Sequence, residues 1–345
     1  MTTTVIGYPR IGSHRELKFA VQKYFKQTIS ADELAQTASQ LRHENWQTLS
    51  DAGIDQIPSG DFSYYDLTLD TATLLNIVPV RYKALHLAPL DEYFAQARGY
   101  QGEHGDVKAL SMKKWFNTNY HYLVTEFDDD ADIKLVGTKI FDEYQEARDA
   151  GYQTRPTIIG PYTLIKNGRF TGHKTASDFV PALVAAYEAV FAQLAKQGAD
   201  WIQIDEPALV KDQTAADLAL FSSLYKPLLA AKHGLKVLGQ TYFGDVRDSY
   251  DLLTSLDFDA LGLDFLEGAE TLPLVQDHGF PVDKILYAGV INGKNIWKAH
   301  YQDKIDLLNQ IKSAAAQVVI STSCSLLHVP YTIENEPQLD DKYKR

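Results

Sequence analysis

A run of strand character, Trp201–Ile204, leads directly into Asp205, Glu206 and Pro207. Two carboxylates at the end of a buried strand stand where an α/β protein keeps an acid and a base, or holds a substrate amine. Asp264 closes a later run of the same kind, and Asp61 and Asp66 follow an earlier one. Consecutive residues on a strand point to opposite sides, so Asp205 and Glu206 need not share a task, and one of them can cap the following helix. Acidic rims occur in barrels of many activities, so these carboxylates name no reaction by themselves.

Cys324 and His328 stand four residues apart and form a Cys/His pair with metal-ligand spacing. A structural zinc takes four protein ligands and a catalytic one three, so a carboxylate such as Asp205 or Glu206 must join them. Cys324 is the chain's single cysteine, which excludes an intrachain disulfide and any metal site built on two thiolates. The sequence therefore predicts no metal site here and reads Cys324 as a small buried apolar residue. P-loop, G-x-S-x-G and H-E-x-x-H patterns are absent, which removes the commonest routes to phosphoryl, acyl and metalloprotease chemistry.

Cationic residues gather in two places. The first is GYPRIGSHRELK (7–18), with Arg10, His14, Arg15 and Lys18; the second holds Lys108, Lys113 and Lys114, the last two within MKKWFNTNYHY (112–122). Ser13 and Glu16 match the S-x-x-E capping box, so a helix is expected to start at Ser13, with Arg15 and Lys18 on one face and His14 beside Lys18. Free N–H groups and the helix dipole at such a start favour anions. Solvated basic faces are the ordinary alternative, and an aromatic-rich loop can also simply plug a barrel mouth.

The elements that must position these groups are short apolar runs bounded by turn residues: Val5–Tyr8, Ile54–Ser59, Thr157–Gly160, Trp201–Ile204, Lys236–Thr241, Ala260–Phe265, Lys284–Val290 and Gln317–Thr322. Helical patterns separate most of them, such as Asp178–Gln197 with Phe179, Leu183, Tyr187, Val190, Phe191 and Leu194 on one face. Strands alternating with helices predict an α/β fold, a (β/α)8 TIM-type barrel, and no GxGxxG follows the first strand to favour an open doubly wound sheet. Residues 1–330 are expected to form one barrel with a long insertion at about 67–155, in which Ile133–Val136 reads as an extra strand.

The 345 residues fit one large barrel, and 45% hydrophobic with 23% charged residues is an ordinary globular balance. A net charge of −12 argues against general affinity for nucleic acid, so an anionic small ligand must rely on a local basic cluster. The N-terminus MTTTVIGYPR lacks the basic and apolar regions of a signal peptide, and no unbroken apolar run reaches the ~18 residues of a membrane span. A cytoplasmic protein without a membrane partner is expected.

Six ordered segments resemble the amino-terminal half of the cobalamin-independent methionine synthase family: GYPRIGSHRELK, GIDQIPSGDFSYYD (53–66), MKKWFNTNYHY, IQIDEPAL (202–209), AGVINGKNIW (288–297) and SCSLLH (323–328). The resemblance implies two barrels in one polypeptide and methyl transfer from 5-methyltetrahydropteroyl-polyglutamate to homocysteine on a zinc held by the second, carboxy-terminal barrel. By motif match, Arg15, Glu16, Leu17 and Lys18 correspond to a folate-contacting segment and Lys114 to a lysine that meets the glutamate tail. It also implies that residues 331–345 begin a linker toward the second barrel, and that this half alone is inactive. Two readings compete with it: a self-sufficient barrel enzyme using Asp205 and Glu206, and a purely structural partner barrel.

Overall fold

Burial on both faces makes strands of a parallel sheet read as continuous apolar runs, and seven of the expected runs pair in this way. In the computed structural model, which describes residues 1–343, they form one sheet in the order Ile57–Ser59, Thr154–Ile159, Trp201–Asp205, Lys236–Gln240, Ala260–Asp264, Ile285–Ile291 and Gln317–Thr322. Every neighbouring pair is parallel, with Ile158 opposite Ile204, Gln240 opposite Asp205, and Gly262 opposite Tyr287.

The eighth place is taken by the chain's first residues. Thr3 bridges Ile320 on one edge and Thr4 bridges Gln56 on the other, both parallel. The Thr4 N–H donates to the Ile320 carbonyl at 2.9 Å, the Ile320 N–H to Thr2 at 2.9 Å and the Gln56 N–H to Thr3 at 3.1 Å, so the sheet closes on itself. Expected at Val5–Tyr8, the pairing lies instead at Thr2–Thr4. Beyond Thr4, side chains replace backbone partners: the Ile6 N–H donates to the Thr322 hydroxyl at 3.2 Å and the Tyr8 N–H to Asp61 at 2.8 Å.

Helices cover the sheet. Ala176–Lys196 buries Phe179, Leu183, Tyr187, Val190, Phe191 and Leu194 in the main core cluster. It is the one helix among the described residues long and apolar enough to cross a membrane, and here that apolar face is spent on the sheet. Ala215–Ala230 beside it starts with a capping box, Thr214 and Asp217 each accepting from the other's N–H at 3.2 and 3.0 Å.

Three local expectations give way to competing chemistry. The first helix runs Glu16–Phe25 rather than from Ser13. Gly12 at φ 81° and Arg15 at φ 64° turn the chain before the helix begins, and the Glu16 carboxylate folds back onto the His14 N–H at 3.0 Å, so the expected capping box does not form. Ile133–Val136 is not a strand, because the N–H groups of Lys134 and Val136 donate to the last carbonyls of helix Leu67–Leu74 and its cap, Leu75 and Leu74. Within the long excursion, helices and two antiparallel hairpins form before helix Lys139–Asp149 returns to pack on strands Ile57–Ser59 and Thr154–Ile159.

Candidate functional site

The strand ends open toward the hairpin Met112–Lys114/His121–Leu123, whose position is fixed from below by Asp66. This carboxylate caps helix Leu67–Leu74 by accepting the Leu69 N–H at 3.1 Å, and also accepts the Leu123 N–H at 3.1 Å and the Tyr120 hydroxyl at 3.3 Å. Burial pushes its pKa up to about 6 against the pull of those N–H groups. Arg10 joins the first basic segment to the same point, donating to the Tyr65 carbonyl at 2.5 Å and to the Tyr120 hydroxyl at 3.3 Å.

Aromatic rings close the mouth. Trp115 is buried edge-on to Phe116 and Tyr122, Phe116 lies 5.5 Å from Phe243, and His328 sits edge-on to Phe243 and Tyr120. On the far side Asn117 donates to Glu267 at 2.7 Å and accepts from Lys294 at 2.9 Å, while Lys294 pairs with Glu267 at 2.7 Å. Beneath the hairpin remains a cavity of about 40 Å³, lined among others by Asp66, Trp115, Tyr120, Asp205, Tyr242 and His328. That space suits one or two water molecules, against the ~300 Å³ or more of a typical small-molecule pocket. The hairpin therefore acts as the plug considered from its composition.

Asp205 and Glu206 part company. Asp205 faces this cavity, accepting from the Gln203 amide at 2.8 Å and the Tyr242 hydroxyl at 3.1 Å, and burial pushes its pKa up to about 7. Gln203 in turn accepts from Arg155 at 2.7 Å, and Arg155 also donates to Gln56 and Thr4, so a buried guanidinium is satisfied by neutral oxygens along the barrel axis. Glu206 points into the helical layer. It accepts the Tyr162 N–H at 2.9 Å, the Thr163 N–H at 2.6 Å and the Tyr225 hydroxyl at 2.5 Å, which caps the turn Pro161–Lys166. Burial pushes Glu206 up to about 7 as well. Asp264 is also occupied by backbone, accepting from Phe243, Leu266 and Glu267.

Cys324 and His328, the Cys/His pair with metal-ligand spacing, do not form a cradle for zinc. Cys324 is 1% exposed, its thiol donates to the Ser325 carbonyl at 3.7 Å, and burial pushes its pKa up to about 12. Burial and then Lys294 press His328 down to about 4. Among the described residues no group of three or more His, Cys, Asp or Glu side chains is arranged to hold a metal ion.

The expected ligand-binding residues lie on the surface. Arg15, Lys18 and Lys114 are exposed, and their side chains make no ion pair or hydrogen bond with protein groups among the described residues. Glu16 is committed to the His14 N–H, and Leu17 is buried with Ala38, Leu41 and Phe62 while its N–H donates to the Ile11 carbonyl at 3.2 Å. Arg10 and Tyr120, rather than Arg15 and Lys114, bring the two segments together. Sequence reading passed over the Tyr120 hydroxyl and Asn117 as individual residues; an aromatic or amide inside a basic run was the available signal.

A family model described as "Cobalamin-independent synthase, N-terminal domain" matches residues 2–316. The "5-methyltetrahydropteroyltriglutamate--homocysteine methyltransferase" of Streptococcus suis (strain 05ZYH33) is 57% identical over 97% of this chain, and that of Streptococcus thermophilus (strain ATCC BAA-491 / LMD-9) is 56% identical over the same share. The chain spans 44% of the length of each of these relatives, which extend beyond the part it matches. In fold it is similar to a putative vitamin-B12 independent methionine synthase from Listeria monocytogenes, with TM-score 0.66 at 13% identity, covering 100% of this chain and 96% of that one. A B12-independent methionine synthase from Shewanella sp. W3-18-1 gives TM-score 0.62 at 14% identity, covering 87% and 84%.

Proposed function

The chain belongs to the cobalamin-independent synthase family as its N-terminal domain, and from that premise we propose that it is the folate-holding half of a two-domain methyltransferase acting between 5-methyltetrahydropteroyl-polyglutamate and homocysteine. The observation that carries this reading is the identity of 57% across nearly the whole chain to a protein named for that reaction. Arg15, Lys18 and Lys114 offer three exposed cations without a protein partner among the described residues. A polyglutamate tail carries several carboxylates, and ammonium and guanidinium groups hold them by charge-assisted hydrogen bonds. Glu16 and Leu17 contribute the shape of the helix start.

Homocysteine and zinc belong, in this proposal, to the part of the relatives that this chain lacks, with residues 1–330 as the barrel and 331–343 as the start of the connection; residues 344–345 of the expected linker lie outside those described. The chain alone is then inactive, and the enzyme works in the cytoplasm. A self-sufficient enzyme gains little support, because Asp205 and Glu206 do not face a common space. The test measures methionine formation from homocysteine and methylated folate by this chain, with and without the complementary domain of a relative, alongside calorimetric folate binding. Folate binding without turnover supports the proposal; turnover by the chain alone, or no folate binding in either form, overturns it.

A further inference from the structure

The hairpin carries two adjacent lysines, and its pleat sends them to opposite faces. Lys114 pairs across the hairpin with His121, and Lys113 with Tyr122. Directly paired residues share a face, so Lys113 lies on the side of Tyr122, which is buried and donates its hydroxyl to the Asn167 carbonyl at 3.1 Å. That face looks onto Lys166, Asn167 and, across them, Lys211.

Lys211 is pinned there without a carboxylate. Its ammonium donates to Asn167 Oδ1 at 2.5 Å and stands 5.1 Å from the centre of the Phe116 ring. Lys166 pairs with Asp217, and Lys113 makes no ion pair or hydrogen bond among the described residues. Burial, then Lys166, then Lys113 hold the Lys211 ammonium below its usual pKa, so the three positive charges feel one another. One acid, Asp217, is paired within a group of three cations, in a protein whose net charge is −12. Free lysines swing apart to relieve such repulsion, but the amide and the ring keep Lys211 in place.

We propose that Lys113, Lys166 and Lys211 form a second anion subsite on the inner face of the hairpin, which takes a carboxylate of the glutamate tail other than the one met by Lys114. The proposal rests on the folate reading above and extends it: the hairpin divides the tail between two faces, and tail length becomes the property that this half selects. Phe116 lines the subsite, with the Lys211 ammonium over its ring 5.1 Å from the centroid.

Calorimetric titration of the chain at low salt, using 5-methyltetrahydropteroyl mono- and triglutamate, free γ-linked triglutamate and inorganic phosphate, tests this. The K113Q/K211Q variant is expected to bind the triglutamate folate five- to ten-fold more weakly while its monoglutamate affinity changes less than two-fold. Lys211→Arg keeps the charge and is expected to retain binding, which separates charge loss from misfolding. If K114Q weakens triglutamate binding and K113Q/K211Q does not, the second subsite is wrong and the folate reading stands. If neither folate binds but free triglutamate does, and only the wild-type chain binds it, the subsite stands and the folate reading falls. Phosphate binding that K113Q/K211Q removes, with no response to triglutamate, overturns the assignment to a glutamyl ligand.

Discussion

Asp205 and Glu206 are neighbours in the chain, yet their carboxylates serve opposite sides of one strand: Asp205 receives Gln203 and Tyr242 inside the barrel, and Glu206 receives Tyr225 and two backbone N–H groups in the helical layer. Two groups separated by a strand cannot exchange a proton with one substrate. Each instead supports the layer it faces, and each gives a distinct measurement.

Glu206→Ala leaves the Tyr162 and Thr163 N–H groups and the Tyr225 hydroxyl without their acceptor in a buried place. Leaving buried donors unsatisfied costs about 1–3 kcal/mol each before relaxation, so a loss of about 3 kcal/mol in unfolding free energy is expected. Folate affinity should remain within two-fold of the wild type. Denaturant unfolding and calorimetry check the pair of outcomes, and a stable but non-binding variant would contradict the structural role.

Asp205 titrates near pH 7 when folded, because burial penalises its charge, and near 4 when unfolded. The folded state therefore holds the extra proton between those values. Stability from this group is complete below about pH 4, falls as pH rises toward 7, and is flat above that. The full linkage for three units is about 4 kcal/mol, and relaxation brings the expected fall to about 2–4 kcal/mol. Asp205→Asn should show a correspondingly shallower decline in unfolding free energy between about pH 4 and 7; an unchanged slope would place the titration elsewhere.

Lys114→Ala and Arg15→Ala/Lys18→Ala remove exposed charges that have no protein partner among the described residues. Each contact with a carboxylate contributes about 0.2–1 kcal/mol at the surface, so several-fold weaker binding is expected for the triglutamate folate and less for the monoglutamate. Raising the salt from 0.05 to 0.5 M should narrow that difference, since screening acts on each added carboxylate. Equal losses for both folates would separate these residues from the tail.

Cys324 should react with a disulfide reagent only after unfolding, because its thiol is buried and held near pKa 12. Cys324→Ala should leave the metal content of the dialysed chain unchanged. A stoichiometric zinc lost with this substitution would restore Cys324 and His328 as ligands.

Much of the fold was written in the apolar runs, since strands buried on both faces need little beyond local composition to be seen. Thr2–Thr4 escaped that reading because its residues are polar and their pairing depends on edges supplied by Gln56 and Ile320. The Ser13/Glu16 pattern failed because a left-handed turn at Arg15 competes with the cap, and no spacing rule reports φ. Of the site, the basic clusters were visible as charges. Their separation into two hairpin faces was not, because it depends on the pairing of Lys113 with Tyr122. Glu206 was ambiguous for a similar reason: Tyr162 and Tyr225 meet it only after the helices pack.

Closure of the sheet by Thr2–Thr4 makes one strand's pairing depend on two segments far apart in the chain, Gln56 and Ile320. The Thr4 N–H has its backbone partner only once Ile320 is in place, so the sheet keeps two open edges until the strand Gln317–Thr322 is available to close it. Contacts of such long sequence separation form late and slowly, and open edges invite pairing with other chains. Substitutions that disturb Thr2–Thr4 therefore threaten this closing step of assembly.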